Sequence, residues 1–122
     1  SNLKEAKINN KNLLFDIDWK GARKIRKKIN KNNIIDFFIL PPSVKELKKR
    51  LTKRGRDNQK DINLRLSYAL QEISHYSDYS YVLINQNVMQ TVNDIMHIIK
   101  YKVILENNKK LTDRKLKSLI NF

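Results

Sequence analysis

Residues Ile34 to Glu46 read IIDFFILPPSVKE, and this stretch decides the fold. IIDFFIL is a short buried strand, apolar but for Asp36. Pro41 and Pro42 stop it, because proline has no amide hydrogen to give to a ladder. Ser43 and Glu46 then stand at capping-box spacing, where the serine oxygen and the glutamate each satisfy a backbone donor at a helix start. Strand, proline turn and capped helix together open an α/β unit.

The pattern extends upstream. NLLFDID, residues 12–18, reads as another short buried strand, with Leu13, Leu14, Phe15 and Ile17 apolar. From Trp19 to Ile29 the period becomes helical: Ala22, Ile25 and Ile29 share a face, with lysines and arginines opposite. Asn30 to Asn33 is a polar turn. Strand, helix and strand in this order demand a parallel pair with a right-handed crossover. Residues 3–10 carry the end of an earlier helix.

Downstream, the helix opened by Ser43 turns Val44, Leu47 and Leu51 inward and runs into the polar loop RGRDNQ. Asn58 can cap the next helix, whose apolar stripe is Ile62, Leu66, Ala69, Leu70 and Ile73. YVLIN is a further strand ending in the polar Asn85. A long amphipathic helix follows from about Val88 to Glu106, through Val92, Ile95, Ile99 and Val103. The remainder, residues 107–122, is a lysine-rich tail, either a loosely docked helix or a frayed end. Alternating strands and helices place the chain in the α/β class with a parallel sheet, and ligands of such sheets sit beyond the carboxyl ends of the strands.

Composition narrows the classes. At 122 residues the chain is one domain or a piece of one. It contains no cysteine, which excludes disulfides and thiolate metal sites and fits a reducing cytoplasm. No apolar run is long enough for a bilayer, and SNLKEAKINN is not a signal peptide, so no membrane partner is expected. The formal charge of +14 invites a polyanion, yet the lysines are spread along the whole chain beside abundant Asn and Ile. That spread reads as compositional bias on solvated faces, whereas the arginines are few and clustered.

The residues able to do chemistry lie at strand ends and around the polar loop. Asp16 and Asp18 point to one face of their strand, and a buried carboxylate pair calls for a cation or a ligand donor. Asp18 can instead cap the helix at Trp19. Arg50 and Arg54 are i and i+4 on one helix, and Arg65 follows beyond the loop. Three permanently charged, forked donors around a loop make a clamp for phosphoryl oxygens; a solvated basic helix is the plainer reading. His75 and His97 have no partner at metal-ligand spacing, and no protein ligand to a metal is assigned. Tyr76, Tyr79 and Tyr81 cluster before the last strand, as the edge of a core or as a base-stacking platform.

FDIDWKGARKIR, then FFILPPSVKELKKRLTKRGRD, then NLRLSYALQEISHYSDYSYVLIN, in that order, resemble guanylate kinase from Leu13 to Glu106. The resemblance implies a P-loop NTPase-like nucleoside monophosphate kinase core, present in part as its carboxy-terminal portion. It implies transfer of the ATP γ-phosphate to GMP, giving ADP and GDP, with Mg2+ bound mainly through ATP. By the same resemblance the lid spans about residues 51–66, Arg54 lies over the adenine and phosphates, and Arg50 and Arg65 meet the transferring phosphoryl group. Asn85 faces the adenine, and Asp16 and Asp18 lie near the magnesium and GMP end.

Lys20 stands where the family usually has glutamine, and Gln86 where it has aspartate. Gly21 and Gly55 are the only glycines, so no G-x-x-x-x-G-K-[ST] loop occurs in these 122 residues, and this stretch alone is expected to be inactive. Two other classes remain open. One is a non-catalytic guanylate-kinase-like interaction module, which would have no need to keep the arginines. The other is a basic nucleic-acid binder, for which no motif speaks and which is not expected.

Overall fold

The computed structural model describes residues 12–53 and 58–121. The chain divides into two compact units, residues 1–34 and 35–122. The helix expected over residues 3–10 lies outside the described residues.

In the first unit, helix α1 spans Trp19–Lys28. Asp18 caps it, its carboxylate accepting from the Gly21 amide at 2.8 Å. A Cβ on Gly21 would sit 3.3 Å from that carboxylate oxygen and from the Ile17 Cβ, so glycine suits this tight first turn. Ala22 is buried, and Ile25 and Ile29 are half-buried on the same face, as their spacing requires. Arg23 and Lys20 lie over the Trp19 ring, with the Arg23 guanidinium 4.9 Å from its centre.

Residues 12–18 are not the buried strand their composition suggests. They form no strand, and Leu13, Leu14, Phe15 and Ile17 are all exposed. An extended segment becomes a strand only when a neighbour completes its ladder. The sheet among the described residues has two strands, which pair with each other.

Those strands belong to the second unit. Strand β1 is Phe37–Leu40, β2 is Tyr81–Ile84, and they run parallel in the register Phe37 to Tyr81 through Leu40 to Ile84. The parallel pair among the described residues is therefore β1 with β2, and residues 12–18 form no strand. Phe38 is buried, and Tyr79 meets its ring edge-on at 4.9 Å. On the other face Phe37 and Tyr81 stack at 5.4 Å. Tyr79 and Tyr81 thus form the edge of a core. Asp36 fixes the entry to the sheet, its carboxylate accepting from the Ser80 amide and its carbonyl from Tyr81.

Between the strands lie helices α2, Val44–Lys53, and α3, Gln59–Ile73, which pack together. Ser43 accepts from the Glu46 amide at 3.0 Å, and Asn58 from the Asp61 amide at 3.0 Å. Both caps stand where the sequence puts them. Leu47, Leu51, Ile62, Leu66, Ala69 and Ile73 are half-buried, while Val44 and Leu70 remain exposed at the margins of their stripes.

Helix α4 runs unbroken from Val88 to Ile120. The boundary expected near Glu106 is absent: residues 107–120 continue the helix, with no glycine or proline to stop it. Its inner face keeps Ile95 and Ile99 of the expected stripe but is centred differently at both ends. Thr91 is buried and Ile95, Ile98 and Ile99 half-buried, whereas Val92 and Val103 are exposed. No described helix is long and apolar enough to cross a membrane.

Candidate functional site

Parallel pairing sends both strands out of the sheet at the same edge. Leu40 is opposite Ile84, so the Pro41–Ser43 turn and the Asn85–Asn87 turn leave side by side. The Asn85 amide donates to the Leu40 carbonyl at 2.8 Å, which extends the ladder one residue past the strand. Each turn then opens a helix: Ser43 caps α2, and Asn87 caps α4 by accepting from the Gln90 amide at 3.1 Å. This carboxyl edge, with two helix amino termini, is where an α/β sheet receives anionic ligands.

Asn85 is half-buried at this edge. Its side chain meets the hydroxyl of Thr91, the buried threonine one turn into α4, at 3.0 Å. Neither Thr91 nor the Asn87 cap was singled out from sequence. The spacing Asn87 to Gln90 carried a signal, since asparagine three residues before a helical amide is a common cap. Nothing in the sequence marked Thr91, because its role depends on where the strand delivers Asn85.

The arginines are placed by local structure. Arg50 is exposed on the last turns of α2, its Nε 3.9 Å from the Glu46 carboxylate. Arg65 is exposed on α3, the helix that packs on α2. Arg54 falls in residues 54–57, outside the described residues. The polar loop is therefore flanked by two packed helices that each bring one arginine to the surface.

Asp16 and Asp18 belong to the first unit, and both are exposed. The argument from buried, mutually repelling carboxylates does not hold for them, and Asp18 is already engaged by the α1 amide. Among the described residues no three His, Cys, Asp or Glu side chains gather as a metal site; His75 instead lies 3.6 Å from Asp78.

Comparison with known proteins bears on the whole arrangement. The family model described as guanylate kinase matches residues 1–102. The chain belongs to the guanylate kinase family. The guanylate kinase of Rickettsia prowazekii is 51% identical over 87 residues, covering 71% of this chain and 43% of that protein. That of Blochmanniella pennsylvanica is 42% identical over 111 residues, covering 89% of this chain and 50% of its own length. Among solved structures, the guanylate kinase from Anaplasma phagocytophilum superposes with a TM-score of 0.66 at 30% identity, over 84% of this chain and 47% of that one. The chain thus spans about half the length of the guanylate kinases it matches. The family match ends at Lys102, so most of the exposed distal half of α4 lies beyond it.

Proposed function

We propose that this chain is the carboxy-terminal portion of an ATP:GMP phosphotransferase, which moves the γ-phosphate of ATP to GMP and releases ADP and GDP. The observation that carries the reading is the family match across residues 1–102, which takes in the strand ends, the arginine helices and the polar loop. The exposed Arg50 and Arg65 on packed helices support the chemistry, since phosphoryl transfer needs little beyond positioning and cationic stabilisation.

In this reading Arg54 and Arg65 arrive with a closing lid, about residues 51–66, and with Arg50 at its edge they neutralise the transferring group. Forked guanidinium donors suit its equatorial oxygens. Arg54 also covers the adenine, Asn85 reads its edge, and Asp16 and Asp18 stand at the GMP and magnesium end. Mg2+ comes with ATP and offsets the phosphate charge. In this reading the protein works in the cytoplasm, with ATP and GMP as partners.

The 122 residues hold no glycine-rich phosphate loop, so the chain by itself is expected to give no turnover above background. The test joins it to the amino-terminal half of a full-length guanylate kinase and follows ADP release from ATP and GMP. Turnover within about an order of magnitude of an ordinary kinase, roughly 1–100 per second, supports the reading. A folded chimera with no GMP-dependent ADP release would overturn it and favour a binding module.

A further inference from the structure

The buried hydroxyl of Thr91 carries information about what Asn85 presents to a ligand. Its Oγ1 lies 3.0 Å from the Asn87 carbonyl oxygen and 3.0 Å from a terminal atom of the Asn85 amide, drawn as Oδ1. A hydroxyl has one proton. Were both neighbours oxygens, one of these two contacts would bring lone pairs together without a hydrogen between them.

The Asn87 carbonyl can only accept, so the hydroxyl proton goes there, in the back-bond that threonine makes to the carbonyl four residues earlier. The second contact must then be supplied by the asparagine. The nitrogen and oxygen of its amide exchange places by a half-turn, and the surrounding hydrogen bonds decide between them. With the half-turn, Nδ2 donates to Thr91, Thr91 donates to Asn87, and both contacts carry a proton in a mutually polarising chain. Among the described residues no second hydrogen bond holds the Asn85 amide in the opposite sense.

We propose that Thr91 is a positioning residue that turns the Asn85 carbonyl oxygen toward the ligand, so the site accepts a hydrogen bond from the exocyclic amine of adenine. This rests on the reading that Asn85 faces the ATP base. It adds a direction to that contact. A base with a carbonyl at the same position meets the Asn85 oxygen with another oxygen, and is disfavoured. Without Thr91 the amide is free to turn, and the preference fades. The arrangement is local, because the Asn85 backbone is tied to Leu40 and Thr91 is buried in the first turn of α4.

Two measurements on the 122-residue chain test it. In the NMR spectrum, an Asn85 Nδ2 proton is expected to show a cross-peak to the Thr91 side chain. Thr91→Val, which keeps the shape and removes the hydroxyl, is expected to move both Nδ2 resonances toward those of a free amide. Thr91→Ser is expected to leave them in place. No contact from Nδ2 to residue 91, or spectra unchanged in Thr91→Val, would overturn the proposal whatever the chain binds.

Titration with ATP and with ITP, which carries a carbonyl where adenine has its amine, then reads the consequence. ATP is expected to bind about tenfold more tightly, the scale of leaving a polar pair unmatched. The ratio is expected to fall to within about threefold in Thr91→Val and to return in Thr91→Ser. Equal affinities, or shifts from neither nucleotide, with the amide orientation intact would sink the adenine assignment and this proposal. The kinase reading would still be judged by its own turnover assay.

Discussion

The arginine helices and the Asn85 corner offer a ligand opposite kinds of group. Arg50 and Arg65 are exposed on regular helices, where the 3.6-residue period places them, and Arg50 lies 3.9 Å from Glu46 in solvent. Asn85 sits half-buried at the end of a strand, with its backbone on Leu40 and its side chain on a buried hydroxyl. A long, solvated cation suits a group that must travel with a closing segment. A short amide held on two sides suits recognition of a base edge. In the proposed reading, charge on the exposed helices and direction on the anchored amide divide the work of a phosphoryl-transfer site.

That contrast can be broken most visibly at Arg65. In the chimeric enzyme, Arg65→Ala is expected to lower kcat by about 10³- to 10⁵-fold, the scale of losing a cation on the transferring group. Its melting temperature is expected to stay within about 2 °C, because an exposed substitution away from caps and core changes stability by only about 0.5 kcal/mol. A fall in kcat of only a few-fold would remove Arg65 from the clamp.

On the fixed side, Phe38→Ala is expected to destabilise the chain by about 3 kcal/mol in urea unfolding, since a buried ring and its edge contact with Tyr79 are lost together. Removal of a comparable apolar side chain at the exposed Ile39 is expected to cost under about 1 kcal/mol. Equal costs at the two positions would mean that β1 is not buried on the Phe38 side. The smallest effect is expected at the ion pair: Glu46→Gln should change stability by less than about 0.5 kcal/mol, because Arg50 and Glu46 meet at 3.9 Å in solvent.

The calls that held are those resting on short-range chemistry. Ser43 and Asn58 cap helices because a side-chain oxygen three residues before a free amide has few better partners. Ala22, Ile25 and Ile29 share a face because the helical period puts them there. The candidate site was half legible for the same reason. Arginines on helix faces could be placed from spacing, but the threonine that contacts the Asn85 side chain could not.

What failed depended on contacts distant in sequence. Leu13 to Ile17 have the composition of a strand, yet composition cannot supply the neighbour that completes a ladder. The parallel partner of β1 lies more than forty residues away in the chain, at Tyr81 to Ile84. The inner face of α4 kept Ile95 and Ile99 of the expected stripe but took Thr91 and Ile98 in place of Val92 and Val103, because several residues compete for it and packing chooses among them.

From the chain alone came the order of elements from Trp19 onward, the caps at Ser43 and Asn58, and the family, all carried by neighbours within about one helical turn or by an ordered run of motifs. Only the folded molecule decided which strands pair, which side of α4 is covered and which side chain meets Asn85. Those outcomes turn on hydrogen bonds and burial between residues whose meeting the sequence order does not specify.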